Sequence, residues 1–449
     1  MMARWWGVAR MERHDEVMKR RDFVRLSGLA AAAGLVPSAG ADALLSVADT
    51  LDRLPPLSPE NAATDDAFWR KVRALYTPSA EFLDFDNANT GAVPASVVAT
   101  YVRHVRDLNG APNVHYPRLN GSTAVYEQLA TFLDTTIDEI ALVPNATTGL
   151  NTVLRGFPLA PGDEVLVTSH EYPDMVATLG LRARREGIVV RTVPVPDARE
   201  DPLMLVTRVE RAITPRTKLM LVSHVSAWTA EILPVAELCT AGRSRGIAVL
   251  VDAAQSVGYL DVKFRAWGCD FVGMSLHKGM GAPIATGVLL VRKDWFGRVE
   301  PLHPPTWDIS KYPIDQYSWT GTANVAASAA IPEAIAVQRG IGLARKRARL
   351  RYLASYWHER VRNLRGVQIL TPGTPSRSFG FSSFAIDGVP SREVEERMRR
   401  QHKILVQDKA SRPFRPVDNA VRVSPQPYTT PQELDRLVRA IAEIAGGRG

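Results

Sequence analysis

Cysteine is scarce in this 449-residue chain. Only Cys239 and Cys269 occur, so a disulfide framework is excluded as the basis of the fold. Long apolar runs are missing too, and the best candidate, Leu26 to Val36, is too short to cross a bilayer as a stable anchor. No internal repeat or low-complexity tract stands out, which sets aside repeat arrays and biased tails. Charge of one sign is also in short supply. The 55 Lys and Arg against 47 Asp and Glu leave a formal +8, which on so long a chain does not argue for nucleic acid. The most basic stretch, ARKRARLRY at 344–352, follows a helical pattern with Ile341, Leu343, Leu350 and Leu353 and reads as a solvated helix face.

What is present points to buried chemistry. In DFVGMSLHKGMGAPIATGVLLVRKD, residues 270–294, two strand-like runs (271–274 and 286–291) flank Lys278. A lysine at a strand end ordinarily reaches solvent. Here Ser275 and His277 stand beside it, and Gly279, Gly281 and Gly287 clear space, so an amine can lie next to a phosphate. That combination suggests a Schiff base between Lys278 and pyridoxal 5'-phosphate (PLP), which in turn calls for an upstream carboxylate to hold the pyridine nitrogen. GIAVLVDAAQSVG supplies Asp252 at the end of an apolar run, with Gln255 three residues on. Alone, Asp252 reads more readily as a helix cap; together with Lys278 it reads as the partner of a protonated ring nitrogen. EIALVPNATTGLNTVLRGF offers a strand ending near Val143, a polar turn from Asn145 to Thr148, and then a helix start that suits either a phosphate or an ordinary cap. VLVTSHEYPDM ends a strand at Thr168 and presents Tyr172, which is able to stack on a ring. Arg422 has the fork for a substrate carboxylate and could equally form a structural ion pair. His115, Tyr116 and Arg118 in NVHYPRLNG read as a surface loop and receive no role.

The segments FDNANTGAVP, NATTGLN, HEYP, HVSAWTAEILPV, VDAAQSVG, SLHKGMGAP, WTGTANVAA and VRVSPQPYTTPQELDRL occur in one order between about residues 80 and 445. In that order the chain resembles the class V aminotransferase-fold, PLP-dependent enzymes, and within them the isopenicillin N epimerase-like branch. The resemblance implies an α/β fold, the PLP-dependent transferase fold of type I, with a large mostly parallel sheet domain and a smaller α+β C-terminal domain. It implies that Lys278 forms the Schiff base, that Asp252 partners the pyridine nitrogen, and that Gln255 donates to the ring oxygen. Tyr172 would stack where cysteine desulfurases carry histidine. The Ala146 backbone, Thr147, Ser275 and His277 would hold the phosphate, with Thr322 reaching in from the other subunit of a homodimer. Arg422 would grip the carboxylate of a small amino-acid-like substrate. One departure stands out: Ala227, followed by Trp228, replaces the asparagine that many members carry after HVS. No metal is implied.

The N-terminal KRRDFVRLSGLAAAAGLVPSAGA pairs Arg20 and Arg21, places Phe23 two residues on, and ends in Ala39-Gly40-Ala41. It resembles a twin-arginine export signal spanning 1–41, which implies the twin-arginine machinery as a partner and a periplasmic or secreted enzyme. Met18 offers an alternative start. The leader holds seven Lys and Arg and four Asp and Glu, so its removal takes the formal charge from +8 to +5. Behind it, 42–75 reads as an arm with a helix near 67–75, 76–330 as the large domain and 331–449 as the small one. Three functions stand side by side: an exported aminotransferase or epimerase, a C–S or β-lyase, and a PLP-fold binding protein without turnover.

Overall fold

A computed structural model describes residues 50–410 and 416–446; the export signal read at 1–41 lies outside them. A short strand β1 (Leu83–Asp84) precedes a seven-stranded sheet. In chain order its strands are β2 (Ile140–Val143), β3 (Glu164–Thr168), β4 (Val189–Val193), β5 (Thr217–Ser223), β6 (Ala248–Asp252), β7 (Phe271–Ser275) and β8 (Gly287–Val291). They lie in the order β2-β8-β7-β6-β5-β3-β4, with β8 antiparallel to both neighbours and the other pairings parallel.

The uninterrupted apolar runs follow from burial on both faces. Along β6, Val249 and Val251 join one core cluster while Ala248 and Leu250 join the other; in β3, Leu166 faces the first cluster and Val165 and Val167 the second. Each fully buried Val or Leu here contributes about 1.5–3 kcal/mol. Gly273 has its place because a Cβ there would come within 2.6 Å of Leu150, on the helix Ala146–Gly156 that crosses this face.

A second, antiparallel sheet follows, in the order β12-β13-β10-β9. Its strands are β9 (Val367–Ile369), β10 (Ser382–Ile386), β12 (Gln407–Asp408) and β13 (Val421–Val423), while β11 (Ile404–Leu405) pairs in parallel with β1. Asp86 bridges Ser424 just beyond, so the segment after residue 82 is stitched to the C-terminal part of the chain. Helices Leu343–Val361 and Pro431–Gly446 cover this sheet through Leu350, Leu353, Trp357, Leu434, Leu437 and Ile441. The arm forms helices Pro59–Thr64 and Asp66–Arg73, whose Phe68, Trp69 and Val72 pack on Val337, Ile341 and Tyr428.

Two sequence expectations are corrected. NVHYPRLNG is the helix Pro112–Asn120, since Pro112 sits in its first turn, where a missing N–H costs nothing. ARKRARLRY is not a solvated face. Lys346 and Arg349 are 3% and 1% exposed, because their helix lies between the arm, the large sheet's loops and the second sheet. Arg349 is satisfied there by Asp66 Oδ1 at 2.9 Å and by the carbonyls of Ala63, Pro427 and Thr429. Among the described residues, no helix is long and apolar enough to cross a membrane.

Candidate active site

Ala146, Thr147, Tyr172, Asp252, Gln255, Ser275, His277 and Lys278 lie at or just beyond the C-terminal ends of β2, β3, β6 and β7, where open α/β sheets bind ligands, whereas Arg422 sits on β13 of the second sheet and Thr322 on an exposed segment. Asp252 closes β6, 8% exposed, and its Oδ1 accepts the Ala254 N–H at 2.9 Å. Burial raises its carboxyl pKa, while the Ala254 hydrogen bond and then the Lys278 cation pull the other way. Lys278 leaves β7 in a tight loop and is half-buried. Gly91 makes that loop possible: its N–H donates to the His277 carbonyl at 3.0 Å, and a Cβ on it would lie 2.1 Å from the Lys278 oxygen.

Next to this loop, Asn145 caps the helix Ala146–Gly156, its Oδ1 accepting the Thr148 N–H at 2.9 Å. Ser275 Oγ accepts the Ala146 N–H at 2.9 Å, which ties the helix start to the end of β7. Gly287 allows this approach, since a Cβ there would stand 2.7 Å from the Asn145 Cα. Thr147 is exposed at the rim. His277 Nδ1 lies 3.4 Å from the Thr286 carbonyl, and burial, aided by the Lys278 cation, lowers its pKa and favours the neutral ring. Tyr172 precedes the helix Pro173–Glu186, partly buried against the core. Gln255, also partly buried, lies in the turn after β6. Thr322 is exposed, on a segment held by Tyr116 Oη, which accepts the Ala323 N–H at 3.0 Å, and by a 3.1 Å bond from Asn324 Nδ2 to Tyr101 Oη.

Arg422 on β13 is 2% exposed. Its guanidinium donates to Asp86 Oδ1 at 3.2 Å, Gln407 Oε1 at 2.7 Å and the Ala227 carbonyl at 3.2 Å. Ala227, the departure noted in the sequence, thus touches the arginine through its backbone. Asp86, Gln407 and Lys409 escaped sequence reasoning, although Asp86 lies inside the quoted FDNANTGAVP. Burial raises the Asp86 pKa, offset in turn by Arg422, Lys409 and Lys278. This half-buried carboxylate is thus paired with Arg422 and lies within electrostatic reach of Lys278. Lys409, 2% exposed, donates to Gln407 Oε1 at 3.1 Å and stands 5.3 Å from the centre of the Trp228 ring.

Glu171 was also missed. It is 1% exposed and accepts from Thr168 Oγ1 at 2.5 Å, Ser223 Oγ at 2.6 Å and Ser223 N–H at 3.1 Å. Burial outweighs these bonds, and with the nearby Asp252 charge it pushes the Glu171 pKa up to about 7. The folded state then holds a proton that the unfolded chain releases at ordinary carboxyl pH. The corresponding stability is present in full below about pH 4.5 and is lost as the pH rises through about 7. In urea unfolding of the cofactor-free protein, Glu171→Gln should abolish that decline and be more stable than wild type at pH 8 by about 2–3 kcal/mol. Equal pH slopes for the two proteins would contradict this.

These residues fit PLP. Asp252 is a buried carboxylate at a cost that a protonated ring nitrogen would offset. The capped helix start beside Ser275 suits a phosphate dianion, and Lys278 follows Ser275 by three residues in the loop after β7.

Comparison with known proteins agrees. The model of the aminotransferase class-V family matches residues 84–437. The isopenicillin N epimerase of Streptomyces clavuligerus is 31% identical over 68% of this chain and 80% of its own. That of Amycolatopsis lactamdurans is 32% identical over 71% and 84%. Among solved structures, the apo cysteine desulfurase from Thermococcus onnurineus superposes with a TM-score of 0.74 at 24% identity, over 84% of this chain and 98% of that one. The fold is thus the PLP-dependent type I fold. With the family model spanning the whole site from Asp86 to Arg422, the chain belongs to the class V aminotransferases, whose cofactor is pyridoxal 5'-phosphate.

Proposed function

We propose that this protein is an exported PLP-dependent enzyme that acts at the amino group or Cα of an amino acid or peptide-like metabolite, as an aminotransferase or epimerase. The observation that carries this reading is the segment from Asp86 to Gly91: Asp86 accepts from Arg422 at 3.2 Å and Gly91 donates to the His277 carbonyl at 3.0 Å, so one short stretch joins the carboxylate-binding candidate to the Lys278 loop. The bound cofactor supplies an electron sink conjugated to the substrate's amino carbon. Asp252 would hold the cofactor's pyridine nitrogen in its protonated form. The Ala146 backbone, Thr147, Ser275 and His277 would hold the phosphate, with Tyr172 and Gln255 as the ring's stacking and hydrogen-bonding partners. Arg422 would orient the substrate carboxylate in place of Asp86. Lys278 Nζ would be the base that takes the Cα proton and returns it.

Similarity to two isopenicillin N epimerases supports an epimerase-like reading, and the desulfurase-like fold keeps a C–S or β-lyase as the second. A persulfide route is disfavoured by the cysteines. Cys239 and Cys269 are buried in the large-sheet core, where burial and their mutual contact push the Cys269 thiol up, and residues 366–390 contain no cysteine. Release of ammonia with a keto acid, against retention of the amine, separates lyase from epimerase.

A homodimer fits the exposed Thr322, whose segment leans on helices Ala95–Gly110 and Pro112–Asn120, where Val98, Val102 and Val114 are exposed. Export rests on the Arg20-Arg21 pair. Replacing both with Lys should leave precursor in the cytoplasm, whereas normal periplasmic accumulation would mean that the signal is misassigned.

A further inference from the structure

The corrected helix carries a buried cation with a specific target. Lys346 Nζ donates to the Gly258 carbonyl at 2.5 Å, the Gly279 carbonyl at 3.1 Å and Gln338 Oε1 at 2.5 Å. Gln338, 1% exposed, in turn donates from Nε2 to the Met280 carbonyl at 2.8 Å. Three acceptor oxygens around one nitrogen match the three N–H bonds of an ammonium, and the Tyr259 ring 4.7 Å away adds a favourable face for the charge. Burial alone draws the pKa of this ammonium down to about 7; the three acceptors favour its charged form.

The carbonyls it holds belong to two segments. Gly258 lies in the loop that follows Asp252 and Gln255, while Gly279 and Met280 follow Lys278. The segments pack back to back so closely that a Cβ on Gly258 would lie 2.3 Å from the Gly279 carbonyl carbon, and one on Gly279 2.4 Å from the Tyr259 ring. Three backbone carbonyls at this seam point to the same pair of side chains. Such buried acceptors are costly if left without donors.

We infer that Lys346, with Gln338, is a positioning residue that locks the Lys278 loop to the Asp252 turn and thereby sets where the Lys278 amine stands. The helix Leu343–Val361 that bears it also covers the second sheet, so the base and the sheet that carries Arg422 share one rigid support. This inference rests on the assignment of Lys278 above, and the test separates the two.

Apo protein is mixed with PLP, and attachment at Lys278 is trapped with borohydride over time and across pH. Wild type reports on Lys278 itself: no trapped cofactor there sinks the assignment, whatever the variants do. With wild type labelled, Lys346→Met should slow attachment by about 10- to 100-fold and move the pH midpoint of the bound cofactor's absorbance, in keeping with a sub-ångström displacement of a reacting group. Gln338→Glu is isosteric and still accepts from Lys346, but withdraws the donor to Met280; it should show the same change to a smaller degree. A folded Lys346→Met with a lowered melting temperature but wild-type attachment and midpoint would make Lys346 merely structural and overturn the inference. Should Lys346→Met fail to fold, unchanged attachment in Gln338→Glu would overturn it as well.

Discussion

Lys278→Ala is expected to abolish both the covalent cofactor link and turnover. Wild-type protein should be yellow, and borohydride should fix the mass of PLP on the peptide containing Lys278; the variant should bind PLP only reversibly. The expected loss in kcat is about 10²–10⁴-fold from the proton transfer alone, and larger where formation of the link limits loading. The reason is the electrostatic setting of this amine. It faces Asp252 and Asp86, two carboxyls whose pKa values burial raises and its own charge restrains. Removing the cation leaves both carboxyls less compensated, so the variant's cofactor-free form should also take up protons at a higher pH. A colourless wild type that stays colourless with added PLP, or a Lys278→Ala variant with normal turnover, would refute the assignment.

The second large effect belongs to Arg422. Truncation to Ala should raise the barrier in kcat/KM by about 2–5 kcal/mol, the range for removing one partner of a buried charge pair. Lys at this position keeps the charge but loses the two-pronged geometry, so Arg422→Lys should fall between wild type and Ala. The structure adds a term that the sequence did not reveal. Asp86 occupies part of the guanidinium before substrate does, at 3.2 Å, and Lys409 and Gln407 share that neighbourhood. On the proposed role of Arg422, substrate binding would exchange one carboxylate for another on its guanidinium, with Lys409 the cation left to stabilise Asp86. An Arg422→Ala enzyme with unaltered kcat/KM toward its best substrate would leave the arginine as a structural ion pair with Asp86.

The parts of this site that sequence exposes are those carried by short segments with strong local constraints. Strand ends at Val143, Thr168 and Asp252, and the end of β7 to within one residue, were legible because both faces of the sheet are buried and each apolar run stops where the polar site begins. The antiparallel β8 was legible as a strand, but its place between β2 and β7 was not, because pairing order leaves no mark on a single run. Asp86 comes from one segment and Gln407 and Lys409 from another, far along the chain, and both meet Arg422 only after the β1–β11 and β12–β13 pairings form. Glu171 sat beside the singled-out Tyr172, and its burial against Ser223 depends on β5 lying next to β3. The basic helix misled for a related reason. Helical periodicity identifies one apolar stripe, but it does not show that the opposite face is also covered and that Lys346 and Arg349 end on carbonyls.

The central claim is that Lys278 moves a proton at Cα while Arg422 would hold the substrate carboxylate, so that Cα–H rather than the carboxylate bond is the one cleaved. Its most direct test is incubation in deuterium oxide of the holoenzyme with those amino acids, of either configuration, that perturb the absorbance of its bound cofactor. The account predicts deuterium at Cα in recovered substrate or product, absent with Lys278→Ala and strongly reduced with Arg422→Ala. Release of carbon dioxide without exchange at Cα would contradict both the role of Arg422 and the class of reaction.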